Sequence, residues 1–267
     1  MAYKLMAVDI DGTLLDSRDR LTEVTKKAIR LGVENGLIFT ISSGRPIQGI
    51  EHLNEQLNLD LPFITYNGAM VVMGKSRKIL YEQKMAADDV KSIFSLGERY
   101  NTSIILWSNN TLYANRIDAR TTKYSEGFRV EPVIIRDPEE IAQKGVTKML
   151  WYDEIELIDR YEKEVGQFLG DNINYHTSKP IYLEFVDKRA SKAIAMERLG
   201  EHYGIKREEM IAVGDGANDL SMIEYAGLGV AMANAKDEVK AKADYITLSN
   251  DEDGVANVIY KFVLGRE

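Results

Sequence analysis

The chain is predicted to fold as an α/β protein in which a parallel-sheet unit is interrupted by a separate α+β unit. In the first and last thirds of its 267 residues, patterns of buried strands alternate with patterns of helices, as in a parallel sheet covered on both faces. Between about Gln83 and Asp187, strand patterns instead come in adjacent pairs, which is typical of an antiparallel sheet. A chain of this length can form one large domain or two medium ones.

The first third of the chain begins with a short apolar run at 5–8, which predicts a buried strand. Apolar residues then recur at helical spacing over 21–31, and an Asn-Gly pair after them predicts the end of that helix. Apolar segments at 37–42 and 62–72 predict a second and a third strand, the third with a turn pair inside it.

The last third of the chain repeats this alternation, and the middle does not. In the last third we expect a helix at 191–203, a strand with a glycine-rich turn at 210–216, a short helix at 219–227, strands at 227–232 and 244–248, and a terminal amphipathic helix. In the middle we expect strand pairs at 103–108 with 111–116 and at 173–178 with 181–187, separated by helices near 88–99 and 154–169.

The composition excludes several classes of function. A formal net charge of −8 argues against nucleic acid or an anionic membrane as a partner, because neither attracts an acidic protein at long range. The absence of cysteine excludes a disulfide scaffold, a thiolate zinc site and a cysteine nucleophile. No apolar run approaches the ~20 residues that span a bilayer, and no signal-peptide pattern opens the sequence. A cytoplasmic location is therefore expected.

Reactive side chains follow several of the predicted core strands, at the point where each strand ends. Open parallel sheets bind ligands beyond the carboxyl ends of their strands, so we expect these side chains to face one site. They are Asp9 and Asp11 after the first strand, Ser43, Gly44 and Arg45 after the second, Lys192 at the start of a later helix, and Asp215, Asn218 and Asp219 after the "MIAVG" strand.

Each of these residues has an ordinary structural interpretation when it is taken alone. Asp11-Gly12 is suited to a turn, Ser43-Gly44 to a loop, and Asp219 to a helix N-terminus. A single lysine such as Lys192 is usually a solvated helix residue. An EF-hand is excluded at Asp9, because the glycine comes too early and no glutamate follows at the required distance.

Together the same residues point to phosphoryl transfer. Asp9 lies at the end of an apolar strand, where an unpaired charge is costly, and a second acidic strand end at Asp215 adds repulsion. A divalent cation between the carboxylates removes this difficulty, and Mg²⁺ commonly binds one or two carboxylates with phosphate oxygens and water. Ser43, Lys192 and Asn218 then supply hydrogen-bond donors for a phosphate group.

Four segments resemble motifs of a known family: "DIDGTLLD" from Asp9, "SSGRP" around Ser43, Lys192, and "GDGANDLSMIEYAG" from Gly214. In these segments, and in "TYNGA" and the C-terminal "DEDGVANVIYKFVL", the chain resembles the haloacid dehalogenase-like hydrolase superfamily, and within it the Cof-type sugar-phosphate phosphatases. The resemblance covers essentially the whole chain. One departure is Ala193, which stands where that branch usually has glycine.

The resemblance implies a domain organisation and a set of site residues. It implies a discontinuous Rossmann-like hydrolase core at 1–82 and 188–267, and an inserted α+β cap domain of C2 type at 83–187. Asp9 is then the nucleophile that forms an aspartyl-phosphate, and Asp11 is the acid and base. Mg²⁺ is held by Asp9, by Asp11 through its backbone carbonyl and by Asp215, with Asp219 in support; Ser43, Gly44, Lys192 and Asn218 bind the phosphate; Arg45, Asn67, Glu184 and Lys188 contact the rest of the substrate.

The expected activity is hydrolysis of small phosphorylated metabolites, with sugar phosphates as the leading class. Nucleotide or cofactor phosphates are alternatives. A phosphomutase of the same superfamily is a second candidate, because it would return the phosphoryl group to a sugar instead of water. A phospho-accepting signalling protein is a third, although a receiver needs about half this length and no inserted domain. The sequence predicts no oligomeric state.

Overall fold

The computed structural model describes residues 3–266, and these form two compact units. The first unit comprises the described residues up to Tyr81 together with those from Ser191 onward, and the second comprises Glu82–Ala190. The sequence predicts the insertion at 83–187. The second unit begins one residue earlier and ends three residues later. Within 3–266, every helix is too short or too polar to cross a membrane.

The described strands and helices alternate along much of the chain. The strands are β1 (Leu5–Val8), β2 (Ile38–Ser42), β3 (Pro62–Thr65), β4 (Met70–Met73), β5 (Ile79–Glu82), β6 (Ser103–Ser108), β7 (Thr111–Ala114), β8 (Val133–Ile134), β9 (Lys148–Tyr152), β10 (Ile173–Lys179), β11 (Tyr182–Asp187), β12 (Met210–Gly214), β13 (Leu228–Ala231) and β14 (Tyr245–Ile246). The helices are α1 (Glu23–Glu34), α2 (Glu51–Leu57), α3 (Ala87–Arg99), α4 (Ala119–Glu126), α5 (Pro138–Lys144), α6 (Ile155–Val165), α7 (Lys192–Tyr203), α8 (Leu220–Tyr225), α9 (Asp237–Lys240) and α10 (Gly254–Val258).

The sheet of the first unit has the order β14-β13-β12-β1-β2-β3-β4-β5. Strands from β14 to β3 pair in parallel, and β4 is antiparallel to β3. The central strand β1 is completely buried, and its last residue, Val8, pairs with Val213 on one side and Ile41 on the other. The residues that follow β1, β2 and β12 therefore emerge side by side at one edge of the sheet.

The segment 62–72 is not the single strand predicted from its apolar pattern. It forms β3 and β4, which are joined by Tyr66, Asn67 and Gly68 with φ angles of 52°, 55° and 96°. Three consecutive residues in the left-handed region reverse the chain, and a buried tyrosine in this region costs about 1–3 kcal/mol. Periodicity could not reveal this turn, because the residues on both sides of it are equally apolar.

The sheet of the second unit has the order β10-β11-β9-β6-β7-β8, and it is antiparallel except for the β7–β8 pair. Its apolar core includes Leu106, Trp151 and Phe185. The sequence patterns did not predict β9, α4 or α5. Helix α4 is stabilised by a reciprocal pair at its N-terminus, in which Asp118 and Thr121 each accept a hydrogen bond from the other's backbone N–H. Because its sequence is polar and shows little helical periodicity, an apolar pattern could not reveal this helix.

Candidate active site

Lys192 is at the centre of the residue cluster beyond β1, β2 and β12. Its side chain is 1% exposed, and its ammonium donates to Asp9 Oδ1 at 2.6 Å, to Asp219 Oδ1 at 2.6 Å and to the Ser42 carbonyl at 3.1 Å. A lysine ammonium has three N–H donors, so each donor has an acceptor. This satisfied geometry allows the charge to be buried.

The start of α7 fixes the position of Lys192. The N-cap residue, Ser191, accepts a hydrogen bond from the Ile194 N–H at 3.1 Å. Gly68 packs against the same helix start, since a Cβ on Gly68 would lie 2.1 Å from the Ser191 carbonyl oxygen. Close approach at this helix start is therefore provided by Gly68 from the β3–β4 turn, while Ala193 lies within the helix.

Asp219 is a positioning group, because both of its carboxylate oxygens are already engaged. Oδ1 accepts from Lys192, and Oδ2 accepts from the backbone N–H groups of Asp215 and Gly216 at 3.1 and 3.0 Å. The side chain is completely buried. Asp219 therefore ties the loop after β12 to Lys192 and orients Asp215.

A tight turn connects Asp9 to the rest of the site. Asp11 has φ −80° and ψ 116°, and Gly12 has φ 80° and ψ 0°, which are the angles of a type II turn. The Asp215 carboxylate occupies the space beside Gly12, where a Cβ would lie 2.4 Å from an Asp215 oxygen. Thr13 donates a hydrogen bond to Asp215 Oδ1 at 2.8 Å. Sequence reasoning missed Thr13, although its position directly after the turn glycine was a usable signal.

The carboxylates suit a small divalent cation. Oxygen atoms of Asp9, Asp215 and Asp219 lie within 4.8 Å of one another. Among the described residues, the Oδ2 atoms of Asp9 and Asp215 receive no hydrogen bond, whereas both oxygens of Asp219 do. Two available carboxylate oxygens are what Mg²⁺ commonly takes from a protein, with water and phosphate as its other ligands. The donor set therefore fits Mg²⁺.

The same cluster perturbs the ionisation of its members. The pKa of Asp9 is raised to about 7, because burial raises it, Lys192 opposes that rise, and the Asp219 and Asp215 carboxylates add to it. Burial by itself would lower the pKa of Lys192, but the carboxylates of Asp9 and Asp219 outweigh burial and raise it. Burial also raises the pKa of Asp215, against the hydrogen bond from Thr13. The cluster holds more acid than its one lysine can neutralise.

Five other predicted residues of the first unit lie in the turns beside this cluster. The Asp11 carboxylate is 56% exposed and pairs with Arg45 at 2.6 Å. Ser43 is buried, and its hydroxyl accepts from the Arg45 backbone N–H at 3.1 Å. The Asn67 amide lies against Gly44, where a Cβ would be 2.9 Å from the amide oxygen. These contacts join the turns after β1, β2 and β3 into one surface.

Three predicted residues lie apart from these contacts. Asn218 is exposed on the turn before α8. Glu184 and Lys188 belong to the second unit, where Lys188 is exposed and Glu184 is buried in an ion pair with Lys148 at 2.6 Å. The Glu184 carboxylate therefore already has a cationic partner within its own unit.

A buried aspartate and lysine at the carboxyl edge of a parallel sheet, beside carboxylates that suit Mg²⁺, define the class of enzymes that transfer or hydrolyse phosphoryl groups. The chain belongs to the haloacid dehalogenase-like hydrolase family, whose sequence model matches residues 6–259. The predicted family, the predicted α/β fold class and the predicted enzyme class are thereby confirmed.

Known proteins resemble the chain over nearly its whole length. A 5-amino-6-(5-phospho-D-ribitylamino)uracil phosphatase of Bacillus subtilis is 32% identical over 98% of this chain and 96% of its own. The crystal structure of a haloacid dehalogenase-like hydrolase from Bacteroides thetaiotaomicron is 34% identical, with a TM-score of 0.85 over 97% of this chain and 99% of its own. A sugar phosphatase of haloacid dehalogenase subclass IIB is 28% identical, with a TM-score of 0.78 over 97% of this chain and 98% of its own.

Proposed function

We propose that the protein is a Mg²⁺-dependent phosphatase that hydrolyses small phosphorylated metabolites, with sugar phosphates as the leading class, through an aspartyl-phosphate on Asp9. One observation carries the proposal: the Lys192 ammonium lies between Asp9 and Asp219, at the same sheet edge as Asp215. A carboxylate nucleophile needs no base to activate it, but it must approach a negatively charged phosphate. Lys192 offsets that repulsion.

The proposed reaction has two steps that share the residues of the opening turn. In the first, an Asp9 oxygen forms a bond to phosphorus as the bond to the leaving oxygen breaks, and Asp11 gives that oxygen a proton. In the second, Asp11 takes a proton from a water molecule that attacks the aspartyl-phosphate, releasing inorganic phosphate. Asp11 lies in the turn that directly follows Asp9, so the proposal assigns both carboxyl groups to one phosphate.

Three residues are proposed to hold the metal: Asp9, Asp215, and Asp11 through its backbone carbonyl. Bound there, Mg²⁺ would supply positive charge that favours the ionised form of Asp9 and offsets repulsion between the carboxylates and the substrate. Asp219 was expected to support the metal, and its two engaged oxygens favour a role in orienting Lys192 and Asp215.

Proposed contacts to the substrate follow from the turns around Asp9. Ser43, Gly44, Lys192 and Asn218 are proposed to bind the transferring phosphate, and Arg45 and Asn67 to contact the rest of the substrate. Arg45 already pairs with Asp11, and Asn67 already lies against Gly44, so both belong to the proposed site surface.

The substrate class is proposed from what two relatives act on. One is named as a sugar phosphatase, and the other as a phosphatase of a phosphoribityl-amino pyrimidine. Both substrates carry the phosphate ester on a polyhydroxylated carbon chain. We propose a substrate of that kind for this protein, with the pyrimidine derivative as a specific second candidate.

The second unit, Glu82–Ala190, is proposed to act as the cap that selects the substrate, with contacts from Glu184 and Lys188. A cap of this kind excludes water from the first step and recognises the part of the substrate that does not react. Substitution of the exposed Lys188 by alanine should reorder preference among sugar phosphates and change turnover of p-nitrophenyl phosphate much less. The cytoplasmic location stays a prediction.

A panel of phosphorylated metabolites tests the proposed function. Sugar phosphates, ribityl phosphates, nucleotides and pyridoxal phosphate would be compared by kcat/KM with Mg²⁺ present. Sugar phosphates and ribityl phosphates should have the highest kcat/KM, with inorganic phosphate as a product. Transfer of the phosphoryl group to a second sugar in the presence of a bisphosphate activator would instead identify a phosphomutase, and no turnover of any compound would refute the proposal.

A further inference from the structure

The turn that carries Asp11 is attached to the C-terminal part of the first unit by a short chain of hydrogen bonds. The Asn234 side-chain N–H donates to the Gly12 carbonyl at 2.8 Å. The Asn234 amide oxygen accepts from the Asn250 backbone N–H at 3.0 Å. The Asn250 side chain in turn donates to the Leu15 carbonyl at 2.9 Å. Because Asn234 is bonded at both ends, its amide has one orientation in which both contacts are made.

The turn needs an attachment of this kind. Gly12 has no Cβ and adopts φ +80°, so its own conformational preference restrains the chain less than that of any other residue. A larger residue cannot replace it, because the Asp215 carboxylate fills the space beside it. The carbonyl groups on either side of Gly12 are therefore oriented by contacts from outside the turn.

Besides the Arg45–Asp11 pair, two side-chain hydrogen bonds restrain the turn. Thr13 bonds to Asp215 on the side of the carboxylate cluster, and Asn234 bonds to the Gly12 carbonyl. The angles of Gly12 link the peptide that carries this carbonyl to the preceding peptide, which carries the Asp11 carbonyl. A fixed Gly12 carbonyl therefore limits the directions that the Asp11 carbonyl can take.

We propose that Asn234 is a positioning residue of the active site, which orients the Asp11–Thr13 turn through the Gly12 carbonyl and thereby sets the Asp11 carbonyl toward a metal ion. This inference rests on the proposed function. Groups that orient metal ligands without touching the metal typically contribute about 10- to 100-fold in affinity or activity. Asn234 would act in the same way, because it bonds to the turn that carries the proposed ligand and not to the metal itself.

The test compares Asn234→Ala with Asn250→Ala. Asn234→Ala removes the donor to Gly12 and adds no charge near the carboxylates. Asn250→Ala removes a hydrogen bond of the same network, to Leu15, but keeps the backbone N–H that faces Asn234. Three quantities are measured for each variant. Calorimetry gives the Mg²⁺ affinity, steady-state kinetics give kcat and KM on p-nitrophenyl phosphate, and thermal unfolding without metal gives the stability. Asn234 is exposed, so its replacement leaves no cavity; Asn234→Ser is the second variant.

For Asn234→Ala we expect Mg²⁺ affinity to fall about 10- to 100-fold, with a fall in kcat and little change in the unfolding temperature. Asn250→Ala should keep Mg²⁺ affinity within about threefold of the wild type. Equal effects of the two substitutions, or unchanged Mg²⁺ affinity in Asn234→Ala, would overturn the inference. Calorimetry needs no turnover, so it decides the role of Asn234 separately from the panel that decides the proposed function.

Discussion

Each unit of the molecule buries a lysine against carboxylate, and the two clusters differ in their balance of charge. In the first unit, Lys192 bonds to Asp9 and Asp219 at 2.6 Å each, with Asp215 near enough to Asp9 to raise its pKa. In the second unit, Lys148 pairs with Glu184, also at 2.6 Å, and His176 lies 3.8 Å from that carboxylate.

This difference distinguishes the proposed reactive cluster from a buried ion pair. Both lysines are almost inaccessible to solvent, so burial alone does not identify the active site. The first cluster has three carboxylates for one ammonium. Burial, with the added effect of the Asp219 and Asp215 carboxylates, raises the pKa of Asp9, and the excess of negative charge suits a cation. Strongly perturbed groups of this kind concentrate at functional sites. A one-to-one buried pair mainly fixes the packing of the strands that carry it.

The largest expected effect is the loss of the nucleophile. Asp9→Asn should form no phosphoenzyme with any substrate, because the side-chain amide is not a nucleophile toward phosphorus. Asp244→Asn is the matched control: Asp244 is exposed and accepts a hydrogen bond from the Gly229 N–H, which asparagine can also accept, so turnover should be retained. Steady turnover by Asp9→Asn, or phosphate found on another residue by mass spectrometry, would show that the nucleophile is misassigned.

Removal of metal should have the next largest effect. Phosphate release should stop when the protein is treated with a chelator and return when Mg²⁺ is added, because the carboxylates otherwise repel the substrate. Calcium should restore much less activity, since its larger and looser coordination shell spreads the attack geometry. Full turnover by protein shown to be metal-free would contradict the proposed chemistry.

Asp11→Asn should separate the two steps of the reaction. It removes the proton-transfer group but leaves the backbone carbonyl, so turnover of a sugar phosphate should fall about 10²–10⁴-fold. With p-nitrophenyl phosphate the leaving group needs no proton, so rapid mixing should show a burst approaching one equivalent of nitrophenol before turnover stalls. Uniform slowing of both steps without a burst would argue against the assigned role.

The two lysines give a comparison of stability. Lys148→Met leaves the buried Glu184 carboxylate without its cation, which should cost about 3–5 kcal/mol of unfolding free energy. Replacing both partners, as Lys148→Met with Glu184→Leu, should recover most of that loss. Lys192→Met leaves two buried carboxylates, those of Asp9 and Asp219, without their cation. Replacing Asp9 as well should therefore recover only part of the unfolding free energy that Lys192→Met loses.

Tryptophan fluorescence makes this comparison specific to one unit. The chain has two tryptophans, Trp107 and Trp151, and both belong to the second unit. Tryptophan fluorescence should therefore report the unfolding of the second unit, which the Lys148 substitutions destabilise, while circular dichroism reports the unfolding of both units. A Lys148 variant as stable as the wild type would show that the pair makes no net contribution.

The smallest expected effect is a dependence of stability on pH. The pKa of Asp9 is raised to about 7 in the folded, metal-free protein, against about 3.9 in an unfolded chain. Between these values the folded state holds more protons than the unfolded state, so the Asp9 contribution to stability falls as pH rises from about 4 to 7. Over that range Asp9→Asn should gain stability relative to the wild type, by at most about 4 kcal/mol. A constant difference would contradict the raised pKa.

The sequence was sufficient for the parts of the fold that depend on local pattern. The apolar runs that became β1, β2 and β12 end at the residues now found together, and Ser191 as N-cap and Gly204 after the last turn bound α7. Local pattern failed at Tyr66–Gly68, where left-handed backbone divides one apolar segment into two strands, and around α4, where a polar sequence is held helical by its N-terminal residues.

The sequence determined which groups meet at the edge of the sheet. Asp9, Ser43 and Asp215 each follow a strand pattern, and the carboxyl ends of parallel strands lie at the same edge. Tertiary structure decided what each group is free to do. Lys192 lies 183 residues from Asp9 along the chain, and only the packing of α7 against the β3–β4 turn places its ammonium among three acceptors. Which oxygens remain available for a metal depends on distances of a few tenths of an ångström, and no residue pattern encodes these.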